Sequence, residues 1–165
     1  LNFNYFSSEP VSHTADGRPL FVRTQGASFT LANFFRAQIY ATMATLKLGM
    51  KILEQEGVVI DKLFGHGGLF KTPVVGQKLM AGAMRAPVSV MKTAGEGGAW
   101  GAAVLAKYTA DGNSLPLESY LNDVVFAGCE SSTIEPEDVD VKGFEAYMKL
   151  YENALAVEKA AYENL

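Results

Sequence analysis

The chain has 165 residues, 48% of them apolar and 19% charged, and a formal net charge of −4. That composition suits one globular domain with a real core and excludes intrinsic disorder, while the acidic balance without a dense Lys/Arg stripe argues against nucleic acid or an anionic membrane as the main partner. No apolar stretch is long enough for a bilayer span and no charged-then-apolar leader opens the chain, so a soluble, cytoplasmic protein is expected; Cys129, the single cysteine, excludes an internal disulfide and a Cys-rich metal site.

Residues 1–30 read as an irregular lead-in. They hold aromatic Phe3, Tyr5 and Phe6, a turn at Ala15-Asp16-Gly17-Arg18-Pro19 and a strand-like Leu20-Phe21-Val22. The chain opens at Leu1 without a methionine, which fits a piece of a longer protein. From 31 to about 55, Phe35, Ile39, Met43, Leu46, Met50 and Leu53 recur at steps of three and four, predicting an amphipathic helix stopped by Gly57. Residues 58–64 are apolar and β-branched, a candidate strand that runs into Gly65-His66-Gly67-Gly68. Thr72-Pro73 then predicts an N-cap and a proline at the first helical position, with the helix continuing to about Arg85.

A second short strand is predicted at 87–91, followed by Thr93-Ala94-Gly95-Glu96-Gly97-Gly98 and a third helix over about 96–108. Gly97, Ala99, Gly101 and Ala103 flatten one face of that helix, so a backbone or a ligand can approach closely. Beyond lie a turn at Asp111-Gly112-Asn113, a short helix over 117–126, an acidic linker over 134–140 and a terminal helix over 143–161 with a Phe144, Tyr147, Tyr151, Leu155 stripe, read as core. The alternation of helix, strand and glycine turn predicts an α/β layer with parallel strands.

Two glycine turns, each between a strand and a helix, are expected at the carboxyl edge of one sheet, where α/β folds bind ligands and where bare main chain at a helix start suits an anion or a flat heterocycle. The alternative is that these glycines only permit tight turns and close packing. Gly68-Leu69-Phe70-Lys71-Thr72 lacks the Gly-Lys junction of a P-loop, and Gly95-Glu96-Gly97-Gly98-Ala99-Trp100-Gly101 is one residue out of step with a dinucleotide fingerprint.

Taken together, Gly67-Gly68-Leu69-Phe70-Lys71-Thr72-Pro73, the following Gln77, and Gly97-Gly98-Ala99-Trp100-Gly101-Ala102-Ala103-Val104-Leu105-Ala106 resemble the adenosine-binding region of FGGY carbohydrate kinases. Gly26 with Arg36-Ala37 resembles the helix preceding that region, and the acidic linker with the tyrosine-rich final helix resembles the family's C-terminus; the overall texture is closest to the xylulokinase and ribulokinase branch. Tyr40 departs from the family, which usually carries Glu there, and Tyr5-Phe6-Ser7-Ser8-Glu9 lacks its usual Gly and Arg.

The resemblance implies an α/β fold of the actin-like, ribonuclease H-like ATPase type with a mixed sheet flanked by helices, residues 1–165 forming a single domain that is the later part of the second, ATP-binding domain. It implies ATP-dependent phosphorylation of a sugar, a ketopentose such as xylulose or ribulose, with ATP and Mg²⁺ as cofactors. The base and most sugar contacts would belong to preceding sequence, so this chain alone would be inactive, and no catalytic or metal residue is assigned to it. A homodimer is compatible with this. Nucleotide contacts fall on Gly67 and Gly68, on Leu69 where the family has a smaller residue, on Thr72, and on Lys71, Glu96 and Gly97. A non-catalytic α/β interaction module and a dinucleotide-binding domain are the alternatives.

Overall fold

A helical period with complete end signals produces the longest element of the first half. In the computed structural model, which describes residues 1–92, 94–112 and 114–165, α1 spans Leu31–Gln55 and Thr30 Oγ1 accepts the Asn33 N–H at its start, at 3.1 Å. At its end Gly57 takes φ 71°, and the Val58 and Gly57 N–H groups donate to Leu53 O and Glu54 O at 2.9 and 3.1 Å. That pair of bonds is a Schellman motif, which needs the left-handed conformation a glycine adopts freely.

α1 belongs to the first of two compact units, made of Leu1–Ile60, Gly82–Arg85 and Glu137–Leu165. Here the lead-in is more regular than expected: β1 (Asn2–Phe3) pairs antiparallel with β2 (Leu20–Phe21). The last helix, α5, spans Asp138–Asn164, so the acidic stretch predicted as linker supplies its first turn, where Asp138 and Asp140 complement the helix dipole. The core lies between α1, α5 and β1. Tyr40 packs edge-on against Phe144 at 5.0 Å, Phe3 lies 4.8 Å from Tyr151, and Tyr151 Oη donates to Tyr5 Oη at 2.8 Å. The aromatic at position 40 is thus a core residue of this unit, 5% exposed. Burial raises the Tyr147 and Tyr151 phenols well above their ordinary range.

The second unit comprises Asp61–Ala81 and Ala86–Pro136. Its sheet has the order β3 (Leu63–Gly65), β4 (Val88–Met91), β5 (Ser131–Ile134), with β3 and β4 parallel and β4 and β5 antiparallel. β3 is shorter than the predicted strand over 58–64, because Val58 and Val59 are exposed and outside it. β5 was not expected at all. Its polar residues are accommodated by polar partners inside: Ser89 Oγ meets Thr133 Oγ1 at 2.7 Å, and Gln77 Nε2 donates to Val88 O and Ser132 O at 2.7 and 2.8 Å.

Gln77 stands on α2 (Val75–Met84), whose start corrects the predicted cap. Thr72 instead ends a 3₁₀ turn over Gly68–Lys71, and Val74 takes φ 70° with the Val75 N–H bonded to Pro73 O at 2.8 Å. This is the rare positive-φ γ-turn, which interrupts the chain between Pro73 and the helix. α3 spans Gly97–Ala110. The predicted helix over 117–126 divides into α4 (Leu117–Tyr120) and a π-helical turn, Leu121–Val125. Thr93 and Asn113, included in the predicted turns, lie outside the described residues. The fold is a mixed α/β arrangement with a sheet flanked by helices, and no helix among the described residues is long and apolar enough to cross a membrane.

Candidate functional site

Parallel pairing of β3 with β4 brings the carboxyl ends of both strands, and hence the two glycine turns that follow them, to the same edge of the sheet. Main chain ties the turns together: the Gly67 N–H donates to Ala94 O at 2.7 Å. Gly67 has φ 97°, a conformation that side-chain-bearing residues rarely adopt, and a Cβ added to it would meet no atom within 4 Å. The same open space surrounds Gly68, Gly98 and Gly101. None of the α3 residues is buried, so the small-residue face of that helix is not consumed by packing.

The other predicted contacts occupy different surroundings. Leu69 turns onto α2: its carbonyl O and Cγ lie 2.5 and 2.9 Å from where a Cβ on Gly76 would stand. Lys71 and Glu96 pair with each other, Nζ to Oε1 at 2.6 Å, and this bond holds the Glu96 carboxyl below its ordinary range. Glu96 is the N-cap residue of α3, and its side chain makes no capping hydrogen bond; its Oε1 accepts from Lys71 Nζ instead. Gly97 opens α3, with the His66 ring against it.

A cavity of about 720 Å³ opens beside the turns, within the range of small-molecule sites. Its lining includes Phe70, Lys71, Thr72 and Val74 from the γ-turn side and Val90, Ser132 and Ile134 from the sheet. Of the seven predicted contact residues, Lys71 and Thr72 line it, whereas Gly67, Gly68, Leu69, Glu96 and Gly97 do not. The turns and the cavity are therefore neighbouring features that meet at Lys71 and Thr72 on the first turn and at Ala94 and Gly95 on the second. The β5 wall had no signal in the sequence beyond Thr133-Ile134, since strand detection relies on apolar alternation that Ser131 and Ser132 do not supply.

The FGGY family of carbohydrate kinases, C-terminal domain, matches residues 1–110. The chain belongs to this family. The match takes in β3, α2, β4, α3 and all seven predicted contact residues of the FGGY chain, and it stops short of β5 and α5. No curated protein matches the chain. Among the described residues, no group of three or more His, Cys, Asp or Glu side chains is placed to hold a metal ion.

Proposed function

We propose that this FGGY chain is the adenosine-holding part of an ATP-dependent sugar kinase of actin-like fold, residues 1–165 being the later part of the second domain, with a ketopentose such as xylulose or ribulose as acceptor. The observation that carries this is the Gly67 N–H to Ala94 O bond, which joins two turns whose glycine main chain stands open at one sheet edge. A side chain on Gly67, Gly68 or Gly98 would project into the space a nucleotide needs, and its absence leaves bare main chain for a flat ligand to approach, the Gly67 N–H itself being engaged by Ala94 O.

Bound MgATP supplies the transferable γ-phosphoryl group. This chain's residues bind and orient it: Gly67, Gly68 and Gly97 offer main chain, the Thr72 hydroxyl and the Lys71 ammonium border the adjoining cavity, and Glu96 restrains Lys71. The acceptor hydroxyl, the base that takes its proton and the sugar contacts are assigned to sequence outside the chain.

Gly68→Val tests this. Gly68 has no positive φ and open space at its Cβ, so the variant should fold as the wild type does. MgATP binding by calorimetry should weaken at least about tenfold, since an intruding isopropyl group removes close main-chain approach. Equal binding by both proteins would assign the glycines to packing and turn formation alone, as in a non-catalytic module.

A further inference from the structure

The imidazole of His66 occupies a place that neither turn requires of it. It follows β3 directly and precedes Gly67, and its Nδ1, Cγ and Cβ lie 2.5, 2.9 and 3.0 Å from the point where a Cβ on Gly97 would stand. The ring thus fills the volume of the missing Gly97 side chain, at the first residue of α3. Among the described residues it makes no hydrogen bond, and it is exposed on its far side. The start of α3 has little else to fix it. Glu96 gives no side-chain cap, the Lys71–Glu96 pair is solvent-exposed and weakly restraining, and among the described residues the turns are otherwise joined by the Gly67 to Ala94 bond, the buried Ala94 and the Lys71 stem against Gly95.

We propose that His66 is a positioning residue of the nucleotide site, a flat wedge seated on Gly97 that sets the separation of the two glycine turns. This rests on the nucleotide reading above and adds to it a residue that touches no ligand. Two turns joined by a main-chain bond near Ala94 can still tilt about it at the start of α3; a ring seated against Gly97 beyond that bond removes the freedom. A glycine is required at 97 because the wedge stands where its Cβ would be, and removal of the ring leaves α3 free to shift toward β3. Displacements of that order are costly to a preorganised site, where about 1 Å of misplacement can cost up to ~10²-fold.

The test combines thermal melts and MgATP titration on the same set of proteins. Gly97→Ala should melt lower than wild type because its methyl meets the ring, and the His66→Ala/Gly97→Ala double variant should recover that loss. His66→Ala alone should keep its fold and bind MgATP at least about tenfold more weakly, while His66→Phe, which retains a flat ring on Gly97, should bind close to wild type. A double variant no more stable than Gly97→Ala, an unchanged affinity in His66→Ala, or a loss in His66→Phe as large as in His66→Ala each overturns the wedge. Failure of the wild-type chain itself to bind MgATP overturns the nucleotide reading instead, and the melts still report whether the ring and Gly97 are in contact.

Discussion

Lys71 and Glu96, which stand on the two glycine turns and were both expected to meet a nucleotide, are bonded to each other across 2.6 Å. The lysine is therefore neutralised at rest, and a nucleotide phosphate would compete with a carboxylate for it. Glu96→Gln should tighten MgATP binding about two- to fivefold, the scale of an exposed ion pair, and Lys71→Ala should weaken it. Melting temperatures should hardly change, because both groups are solvated. Titrations in which the two variants shift affinity in the same direction would remove Glu96 from any restraining role.

Gln77 carries the sheet's third strand. Its amide nitrogen reaches Val88 O on β4 and Ser132 O on β5, and its Oε1 accepts from Ser132 Oγ at 3.3 Å. Gln77→Leu keeps the volume but strips a buried donor shared by two carbonyls, so a loss of about 2 kcal/mol or more is expected. Urea unfolding gives the stability, and amide exchange should quicken over Ser131–Ile134 in particular. Uniform exchange with no loss of stability would mean that β5 is held without Gln77.

What could be read in advance follows from where the physics is local. The period along α1 identified the helix but only part of its buried face: Met43 of the stripe is buried, Phe35, Leu46 and Leu53 are exposed, and Tyr40, Ala41 and Ala44, outside the stripe, are buried. Tyr40 packs its ring on Phe144 of α5, and a partner's shape is invisible in a helix's own sequence. The glycine turns were legible because the conformations they need are written in single residues. β5 was not, since Ser131, Ser132 and Thr133 become strand residues only once Gln77 and Ser89 supply their partners. Likewise Lys71 and Glu96 are remote in sequence and pair only after β3 and β4 align their turns.

The γ-turn at Val74 is the clearest point of backbone strain. A β-branched residue at φ 70° pays about 1–3 kcal/mol, and with Val74 56% exposed little burial offsets it. Val74→Gly removes the clash but adds about 0.5–1 kcal/mol of unfolded-chain entropy. A net gain of about 0.5–1 kcal/mol in denaturant unfolding is expected. Destabilisation of that size would show that the valine side chain contributes more to the cavity wall than its exposure suggests.

Glu158 should make the first unit sensitive to pH. The residue is fully buried, its Oε1 accepts the Arg18 N–H at 2.7 Å, and among the described residues its Oε2 has no hydrogen-bond partner. The Arg18 guanidinium is turned to Asp16 Oδ2 at 2.9 Å and to Gly17 O at 2.7 Å. Burial accordingly pushes the Glu158 carboxyl above its ordinary range, opposed by the Arg18 N–H and charge. The unfolded chain releases this proton at about 4.3, whereas the folded chain retains it to higher pH. Between those points the folded state binds more protons, so stability is full at the acid end, declines as pH rises through the window and levels off above the folded pKa. Glu158→Gln cannot ionise and should lack that decline. Thermal melts from about pH 4 to about pH 8 should show the variant close to wild type at the acid end and progressively more stable toward the alkaline end; a gap that stays constant or closes with rising pH would show that Glu158 is ionised in the folded protein.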